Sequence, residues 1–422
     1  MIIPSIDISG GRAVQLVGGE KLALDAGDPV PILERFAVAG EVAVVDIDAA
    51  RGDGSNERVI RDLCRRARVR VGGGIRDAAT ATRWLDAGAA RVVLGTAATP
   101  SVLEHLPADR VIVALDTRDG RVVTHGWRRR SDATAIERVA ALRHLVGGFL
   151  VTFVEREGRM AGSDLTQAAE IVAAAGEASV TIAGGVTTAE EIAYLDRIGA
   201  DAQVGMALYT GRLPLAEAIT APLSSDRADG LWPTVIVDTA GIALGLAYSS
   251  AASVGASVEH RRGIYESRSR GVWEKGGTSG ATQEIVAIDL DCDRDTLRFT
   301  VRQRGSGFCH LGTRTCWGDD DGLTGLARRL ATIAATGGPR GSNTARLVAD
   351  PDLLAAKLRE EAVELGAAAR PAEVVAEAAD LLYFTLVKTA AAGVAIEEIE
   401  RELNRRRRAV TRRAMEAKED IG

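Results

Sequence analysis

The chain has 422 residues, of which 46% are hydrophobic, and a formal net charge of −6 at pH 7. That length exceeds one ordinary core and favours two or three domains, while the acidic balance argues against a nucleic-acid partner or an anionic membrane surface. The first residues lack the basic and apolar stretches of a signal peptide, so we expect a cytoplasmic protein whose four cysteines are metal ligands or buried thiols rather than disulfides.

The first half of the chain alternates short β-branched runs with Ala- and Leu-rich stretches of helical character. Eight such runs occur, at 2–7, 42–48, 69–73, 91–95, 111–116, 149–152, 179–184 and 202–205. Nearly continuous apolar strands separated by helices predict a parallel sheet covered on both faces. Eight units of this kind predict a small (β/α)8 TIM barrel over residues 1–220.

An internal repeat divides this barrel into two four-strand units. VGGGI at 71–75 recurs as IAGGV at 182–186, and LGTA at 94–97 recurs as VGMA at 204–207. Glycine directly after a strand lets the backbone approach an anion, and the next helix N-terminus favours negative charge. The repeat predicts two phosphate sites at the barrel mouth, formed by Gly73, Gly74, Gly95, Thr96, Gly184, Gly185 and Gly205. The alternative is that these glycines form only tight turns.

Two aspartates occupy equivalent places in the repeat. Asp7 closes the first strand and Asp116 closes the fifth. Strands 1 and 5 face each other across the mouth of an eight-stranded barrel, so these carboxylates suit proton donation and abstraction on a ligand held between them. As an alternative, both residues serve only as strand-end caps.

Residues 1–215 resemble the phosphoribosylformimino-5-aminoimidazole carboxamide ribotide isomerase family of histidine biosynthesis, through PSIDI, VVDID, VGGGIR, LGTAA, ALDTRDG, IAGGV and VGMALY. The resemblance implies an Amadori rearrangement with Asp7 as general base and Asp116 as general acid, and Thr152 matches the threonine of strand 6. Gln15 stands where the family usually has arginine, and Glu157 replaces a loop aspartate. The alternative is a non-catalytic barrel that acts as a scaffold or ligand-binding module.

A polar segment at 221–230 predicts a domain boundary, and strand-like runs follow at 234–238, 242–250 and 284–303. The last run is interrupted by DCDRD. If this stretch is extended, Asp291, Asp293 and Asp295 point to one side and can bind Mg2+, a hard cation that prefers oxygen ligands. Cys292 and Arg294 then point to the other side. An acidic surface turn is the alternative.

Three cysteines and a basic loop predict further ligands in this region. Cys292, Cys309 and Cys316 can supply three thiolates to Zn2+ and leave a fourth position for water, the arrangement of a catalytic zinc. Arg268, Arg270 and Lys275 lie among glycines and hydroxyls, a mixture that suits a phosphoribosyl group. The alternatives are buried thiols and a solvated loop.

Residues 229–318 resemble phosphoribosyl-AMP cyclohydrolase, through SRSR, W-x-KG-x-TSG, DCDRD and C-H-x5-C. The resemblance implies a β-rich α+β metal-binding domain and water attack at carbon 6 of the purine, which opens the bond to nitrogen 1. It also implies a homodimer, because the zinc site of the family takes cysteines from both chains.

From residue 323 onward the sequence is helical, with helices predicted over 352–369 and 372–392. Spacing of three residues puts Glu361 with Glu364 on one helix face, and Glu377 with Asp380 on the other. Two helices that each offer a carboxylate pair predict a site for Mg2+ holding a polyphosphate. A solvated charged face is the alternative.

The carboxylate pattern resembles the all-α, MazG-like nucleoside triphosphate pyrophosphohydrolases. GSNT at 341–344 and K-x-x-EEA-x-E at 357–364 narrow the resemblance to phosphoribosyl-ATP pyrophosphohydrolase over residues 323–415. It implies Mg2+-assisted water attack that releases pyrophosphate from an ATP-derived substrate, with Lys357 contacting that substrate.

The three resemblances are consecutive steps of one pathway. They predict a multifunctional histidine-biosynthesis enzyme that acts on phosphoribosyl nucleotides and has no nucleic-acid or membrane partner. The predicted domains are 1–220, 229–318 and 323–415. A general nucleotide pyrophosphohydrolase is the rival interpretation, and it requires the cyclohydrolase motifs to be irrelevant.

Overall fold

The computed structural model describes residues 1–124, 127, 129–267, 269, 271–318 and 321–412. The chain divides into two compact units. The first contains residues 1–236, 246–305 and the chain from 408, and the second contains residues 237–245 and 306–407. Two predicted substrate-binding residues, Arg268 and Arg270, lie outside the described residues.

Twelve described strands form the N-terminal region of the first unit. They are β1 (Ile2–Ser9), β2 (Arg12–Val17), β3 (Lys21–Gly27), β4 (Val42–Asp46), β5 (Val69–Gly72), β6 (Arg91–Leu94), β7 (Val111–Arg118), β8 (Arg121–Thr124), β9 (Arg129–Thr134), β10 (Gly148–Phe153), β11 (Ser179–Ala183) and β12 (Ala200–Val204). Strands β1, β4, β5, β6, β7, β10, β11 and β12 pair in parallel in this order, and β12 pairs with β1. The predicted closed eight-stranded barrel is therefore confirmed.

Two antiparallel extensions were not predicted. Strands β2 and β3 form a hairpin after β1, and β8 and β9 form a hairpin after β7. Each extension follows a strand that carries one of the two mouth aspartates, so the internal repeat includes the extensions as well. The outer strands are mostly exposed or half-buried, and they lack the apolar run by which the barrel strands are recognised.

Helices surround the barrel and begin with ordinary capping signals. Thr188 with Glu191, and Thr134 with Glu137, form capping boxes at two of them. The described helices are α1 (Pro29–Phe36), α2 (Ile47–Arg51), α3 (Glu57–Arg66), α4 (Ala78–Asp86), α5 (Pro100–Leu103), α6 (Ala135–Leu142), α7 (Leu165–Ala175), α8 (Ala189–Arg197), α9 (Met206–Tyr209) and α10 (Leu215–Thr220), with 3-10 turns at Ala37–Ala39 and Ala108–Arg110.

A six-stranded sheet with one helix forms the β-rich region. Its elements are β13 (Trp232–Asp238), β14 (Ala243–Ser249), α11 (Ala251–His260), β15 (Ile264–Ser267), β16 (Gly271–Glu274), β17 (Gln283–Leu290) and β18 (Leu297–Gln303). The strand order is β16-β15-β14-β13-β18-β17. The β-rich α+β architecture is confirmed.

The expectation that DCDRD is extended is wrong. Strand β17 ends at Leu290 and β18 begins at Leu297, so the acidic stretch is the turn between them. Arg294, in the middle of this turn, has a φ of 63°, in the left-handed region. Alternation of side chains between two faces therefore does not apply here.

Five helices follow in the second unit: α12 (Gly322–Thr336), α13 (Asn343–Ala349), α14 (Pro351–Ala367), α15 (Pro371–Ala391) and α16 (Ile396–Arg408). Leu330, Leu347, Leu354, Leu386 and Val387 form their core. Both predicted helices match α14 and α15 within two residues at each end, and each begins with proline, whose fixed φ suits a first helical position. Among the described residues, no single helix is long and apolar enough to span a membrane. The pair α15 and α16, which meet at a bend of 110°, reaches that length and apolarity only when taken together.

Candidate active sites

The mouth of the barrel brings Asp7 and Asp116 to the carboxyl ends of β1 and β7, which lie on opposite sides of the closed strand order. Asp116 pairs in register with Thr152 of β10. The side chains of Thr152 and Trp127 both act to lower the pKa of the Asp116 carboxyl. Thr152 and Trp127 are therefore polar neighbours of one of the two predicted catalytic carboxyls.

Burial changes the acidity of both carboxyl groups. It raises the pKa of Asp7 to about 7. It also raises the pKa of Asp116, against the opposing influence of the Trp127 and Thr152 side chains. A carboxyl group whose pKa lies near neutrality can both take and give a proton at physiological pH, as general acid–base catalysis requires.

Glu157 is a third carboxylate at this mouth, and the predicted site did not include it. It lies in the loop after β10. Burial is the main cause that raises its pKa to about 7, and the negative charges of Asp7 and Asp116 raise it further. The only sequence signal was the departure from the family pattern at 155–158. The protonation of Glu157 therefore depends on the charge states of both aspartates.

The second predicted phosphate site and Glu157 share one cavity. Gly184, Gly185 and Gly205 line it, together with Glu157 and Ser5. Gly184 has a φ of 89°, and a Cβ atom there would lie 2.5 Å from the carbonyl oxygen of Phe153. Glycine is thus required by the backbone at the edge of the cavity, and Glu157 forms part of the cavity wall.

The first predicted phosphate site has the same backbone geometry at two of its glycines. Gly73 and Gly74 have φ values of 92° and 70°, and a Cβ atom at Gly73 would clash with the backbone of Asp46. Gly95 faces open space, and Thr96 is exposed. The contact with Asp46 alone accounts for glycine at 73, so phosphate binding at this loop stays a prediction.

The acidic turn gathers its three aspartates although it is not extended. One carboxylate oxygen from each of Asp291, Asp293 and Asp295 lies within 4.8 Å of the others. The Asp291 carboxylate accepts the backbone N–H groups of Asp295 and Thr296, each at 3.1 Å, which folds the turn back on itself. Burial acts to raise the pKa of Asp291, but these hydrogen bonds hold it below its usual value. Three oxygen donors so arranged suit a hard divalent cation.

Cys309 and Cys316 lie on one loop of the second unit. Cys309 is buried, and its Sγ accepts the N–H of Leu311 at 3.5 Å, a contact that suits a thiolate. Cys316 donates its N–H to Leu244, and a Cβ atom at Gly245 would lie 3.0 Å from the Cys316 Sγ. The third predicted ligand, Cys292, is exposed and belongs to the first unit, so the three-thiolate zinc site stays a prediction.

Lys275 is the part of the predicted basic loop that the described residues include. Its residue is 9% exposed, and its N–H donates to the carbonyl of Gly263 at 2.8 Å. A lysine held this deep is positioned by its surroundings rather than solvated, which argues against the solvated-loop alternative at this residue.

The helical region brings its two predicted carboxylate pairs together. Glu361 of α14 has a carboxylate oxygen within 4.8 Å of those of Glu377 and Asp380 on α15, and it forms a second such group with Glu360 and Glu364. Burial, followed by the charge of Glu364, raises the pKa of Glu377.

Lys357 is the cation beside this cluster. Its Nζ lies 2.7 Å from Glu360 and 3.1 Å from Glu361. Glu361, which is 5% exposed, is thus the carboxylate common to both acidic groups and the most buried of them. Oxygen donors from two helices at this spacing suit a hard divalent cation such as Mg2+.

A closed parallel barrel with carboxylates at its mouth, a β-rich region and an acidic helical region together are typical of a multidomain enzyme. The chain belongs to the family described as histidine biosynthesis protein, whose model matches residues 1–214. Residues 245–318 match the phosphoribosyl-AMP cyclohydrolase family, and residues 326–407 match the phosphoribosyl-ATP pyrophosphohydrolase family. The three resemblances and their order are confirmed.

Curated relatives carry related names. A histidine biosynthesis bifunctional protein of Schizosaccharomyces pombe is 47% identical over 207 residues, which are 49% of this chain and 49% of the relative. A trifunctional protein of Neurospora crassa is 43% identical over 257 residues, 61% of this chain and 27% of the relative. The chain therefore spans half or less of these two relatives. The 1-(5-phosphoribosyl)-5-((5-phosphoribosylamino)methylideneamino) imidazole-4-carboxamide isomerase of Gemmatimonas aurantiaca is 43% identical over 225 residues, 50% of this chain and 94% of the relative.

Proposed function

We propose that this chain performs three successive reactions of histidine biosynthesis. The helical region hydrolyses phosphoribosyl-ATP to phosphoribosyl-AMP and pyrophosphate, the β-rich region opens the purine ring, and the barrel isomerises the product. One observation carries this proposal: three family matches in one chain each coincide with a cluster of carboxylate or thiol groups that suits the chemistry of that family. We assign the reactions to domains over 1–220, 229–318 and 323–415.

In the barrel, the two mouth aspartates divide the proton transfers. Asp116 is the group assigned as general acid, because burial raises its pKa and so favours the protonated form. Thr152 lies directly beside it, in register on β10. Asp116 protonates the ribose ring oxygen as the ring opens. Asp7 then takes the proton from carbon 2, and the resulting enolamine becomes the ketose. The glycine turns at 73–74, 95–96, 184–185 and 205 hold the two phosphates of the substrate.

Two observations favour a catalytic barrel over a pure scaffold. The chain covers 94% of a relative named as an isomerase. Asp7 and Asp116 also have raised pKa values because both are buried at the mouth, a costly arrangement that a scaffold does not need.

In the β-rich region, Cys292, Cys309 and Cys316 would hold Zn2+, and Asp291, Asp293 and Asp295 would hold Mg2+. Zinc bound there would supply an activated water for attack on carbon 6 of the purine. Arg268, Arg270 and Lys275 contact the phosphoribosyl group. We also propose that two copies of the chain associate through this region.

In the helical region, Glu361, Glu364, Glu377 and Asp380 would hold Mg2+ at the polyphosphate. Magnesium bound there would offset the negative charge that develops on the departing pyrophosphate. Lys357 lies 3.1 Å from Glu361 and is placed to contact phosphate oxygens at the same site. We place the three reactions in the cytoplasm, where their phosphorylated substrates are retained.

The decisive experiment gives phosphoribosyl-ATP to the purified full chain and follows products by mass spectrometry. We expect phosphoribosyl-AMP, the ring-opened intermediate and the ketose to appear in that order. Asp7→Asn should stop the series of reactions at the intermediate whose purine ring has been opened. Asp62→Asn, which removes a carboxylate from the surface of α3, should not stop it. Failure of the wild-type chain to consume phosphoribosyl-ATP would refute the first step, and a ketose formed by Asp7→Asn would refute the assignment of the base.

A further inference from the structure

The acidic turn between β17 and β18 is held by the barrel. Arg294, at the centre of this turn, donates from Nε to Asp196 at 2.8 Å and from Nη2 to the same carboxylate at 3.0 Å. Asp196 lies in the last turn of α8, and its side chain is 9% exposed. A bidentate contact between an arginine and a largely buried carboxylate is stronger than a hydrogen bond between neutral groups.

The backbone of the turn depends on that contact. Arg294 has a φ of 63°, a conformation that costs a non-glycine residue energy and persists only where the surroundings impose it. Its carbonyl oxygen accepts the N–H of Ser224 at 2.8 Å, and its side chain also donates to the carbonyl oxygen of Asp291. The central residue is therefore fixed by the barrel, by the linker and by the start of the turn.

The same turn carries three carboxylates that repel one another. Asp291, Asp293 and Asp295 have oxygen atoms within 4.8 Å of one another, so their repulsion acts against the closed shape of the turn. Holding the turn closed before a cation arrives removes part of the cost of ordering it. The ion pair between Arg294, within the turn, and Asp196, in the barrel, keeps the turn closed.

The ion pair between Arg294 and Asp196 lies at the end of the barrel opposite the mouth. Asp196 lies in the last turn of α8, just before β12 begins, so it is at the amino ends of the strands. The Met1 ammonium group, which contacts Asp196 at 3.0 Å, lies at the same end. Asp7 and Asp116 lie at the carboxyl ends. In a (β/α)8 barrel the two ends are separate faces, one devoted to stability and the other to catalysis.

We propose that Asp196 is a positioning residue for the cation-binding turn of the cyclohydrolase region: by anchoring Arg294, the barrel orders Asp291, Asp293 and Asp295 for a divalent cation. The inference rests on the proposed function of that region. It gives the barrel a second role, separate from isomerisation: the barrel stabilises the cation-binding turn of the cyclohydrolase region.

The test replaces Asp196 by asparagine in the full chain and measures two quantities. The first is hydrogen exchange at the amides of Asp295 and Thr296 in chelator-treated protein, because both amides donate to Asp291 within the turn. The second is the Mg2+ concentration for half-maximal opening of phosphoribosyl-AMP. We expect exchange about tenfold faster and a Mg2+ requirement about tenfold higher, since a charged hydrogen-bonded pair is lost. Zinc content should not change.

The chain offers a matched control and a second variant. Asp289→Asn removes an exposed Asp–Arg pair, 2.9 Å long, from the same hairpin and should leave both quantities unchanged. Arg294→Gly keeps the backbone conformation without strain but loses the anchor, and it should behave like Asp196→Asn while leaving the barrel intact.

Any of three results would overturn the inference. The first is wild-type hydrogen exchange in both Asp196→Asn and Arg294→Gly, and the second is faster exchange in these variants with an unchanged Mg2+ requirement. The third is a change in Asp289→Asn as large as that in Asp196→Asn. A wild-type chain that does not open phosphoribosyl-AMP would refute the proposed function instead. In that case the exchange measurement still decides whether Asp196 anchors the turn.

Discussion

Replacing Glu361 by glutamine should have opposite effects on stability in the absence and presence of Mg2+. Glu361 has carboxylate oxygens of Glu377 and Asp380 within 4.8 Å and the Lys357 ammonium at 3.1 Å. At 4.8 Å each repulsion is about 0.9 kcal/mol at a dielectric constant of 80 and about 3.5 kcal/mol at 20, and the attraction at 3.1 Å is about 1.3 or 5.4 kcal/mol. These two repulsions exceed the attraction by about 0.4 kcal/mol at a dielectric constant of 80 and by about 1.6 kcal/mol at 20. Glu360 and Glu364, which also have carboxylate oxygens within 4.8 Å of Glu361, add to the repulsion.

Without Mg2+, Glu361→Gln should therefore stabilise the helical region by on the order of 1 kcal/mol. With Mg2+ at 100 times its dissociation constant, the wild-type site should gain about 2.7 kcal/mol, a gain that the variant largely loses. Calorimetric unfolding with and without Mg2+ measures both quantities. Pyrophosphate release from phosphoribosyl-ATP should stop in the variant, while opening of added phosphoribosyl-AMP continues.

The control for this experiment is Glu402→Gln, which removes the same charge from an exposed ion pair of α16. Surface pairs of this kind contribute 0 to about 1 kcal/mol, so the response to Mg2+ should be unchanged. The reasoning is refuted if Glu361→Gln destabilises the protein without Mg2+, or if it keeps the full Mg2+-dependent stabilisation.

Three further predictions concern the other two sites. Glu157→Gln removes a negative charge that opposes ionisation of Asp7; because the base acts when deprotonated, the rise of isomerase kcat/KM with pH, near 7 in the wild type, should move to lower pH. An unchanged pH profile would show that the charge of Glu157 does not affect the ionisation of Asp7. Cys309→Ser should lower bound zinc and abolish ring opening but not pyrophosphate release, and unchanged zinc per chain by metal analysis would contradict this. Gly184→Ala introduces strain at a φ of 89° and a clash with Phe153; it should destabilise the barrel by about 1–3 kcal/mol in denaturant unfolding and raise the isomerase KM, whereas wild-type stability would be incompatible with this turn.

Much of the architecture follows from local patterns in the sequence. The eight barrel strands are nearly continuous apolar runs, and α14 and α15 have helical spacing with proline at the first position. The offset of about 110 residues between repeats was enough to put Asp7 and Asp116 on facing strands, because strand order in a closed barrel follows chain order. Carboxylate pairs at a spacing of three had to share a helix face.

Other features depend on residues that are far apart in the chain. Strands β3 and β9 are exposed and have no apolar signal of their own. Glu157 has its raised pKa because tertiary packing buries it near two aspartates of other strands. The shape of the acidic turn depends on Arg294 bonding to Asp196, 98 residues away. Periodicity is a property of neighbouring residues and can be read from the sequence, whereas desolvation and charge pairing arise only when packing brings distant residues into contact.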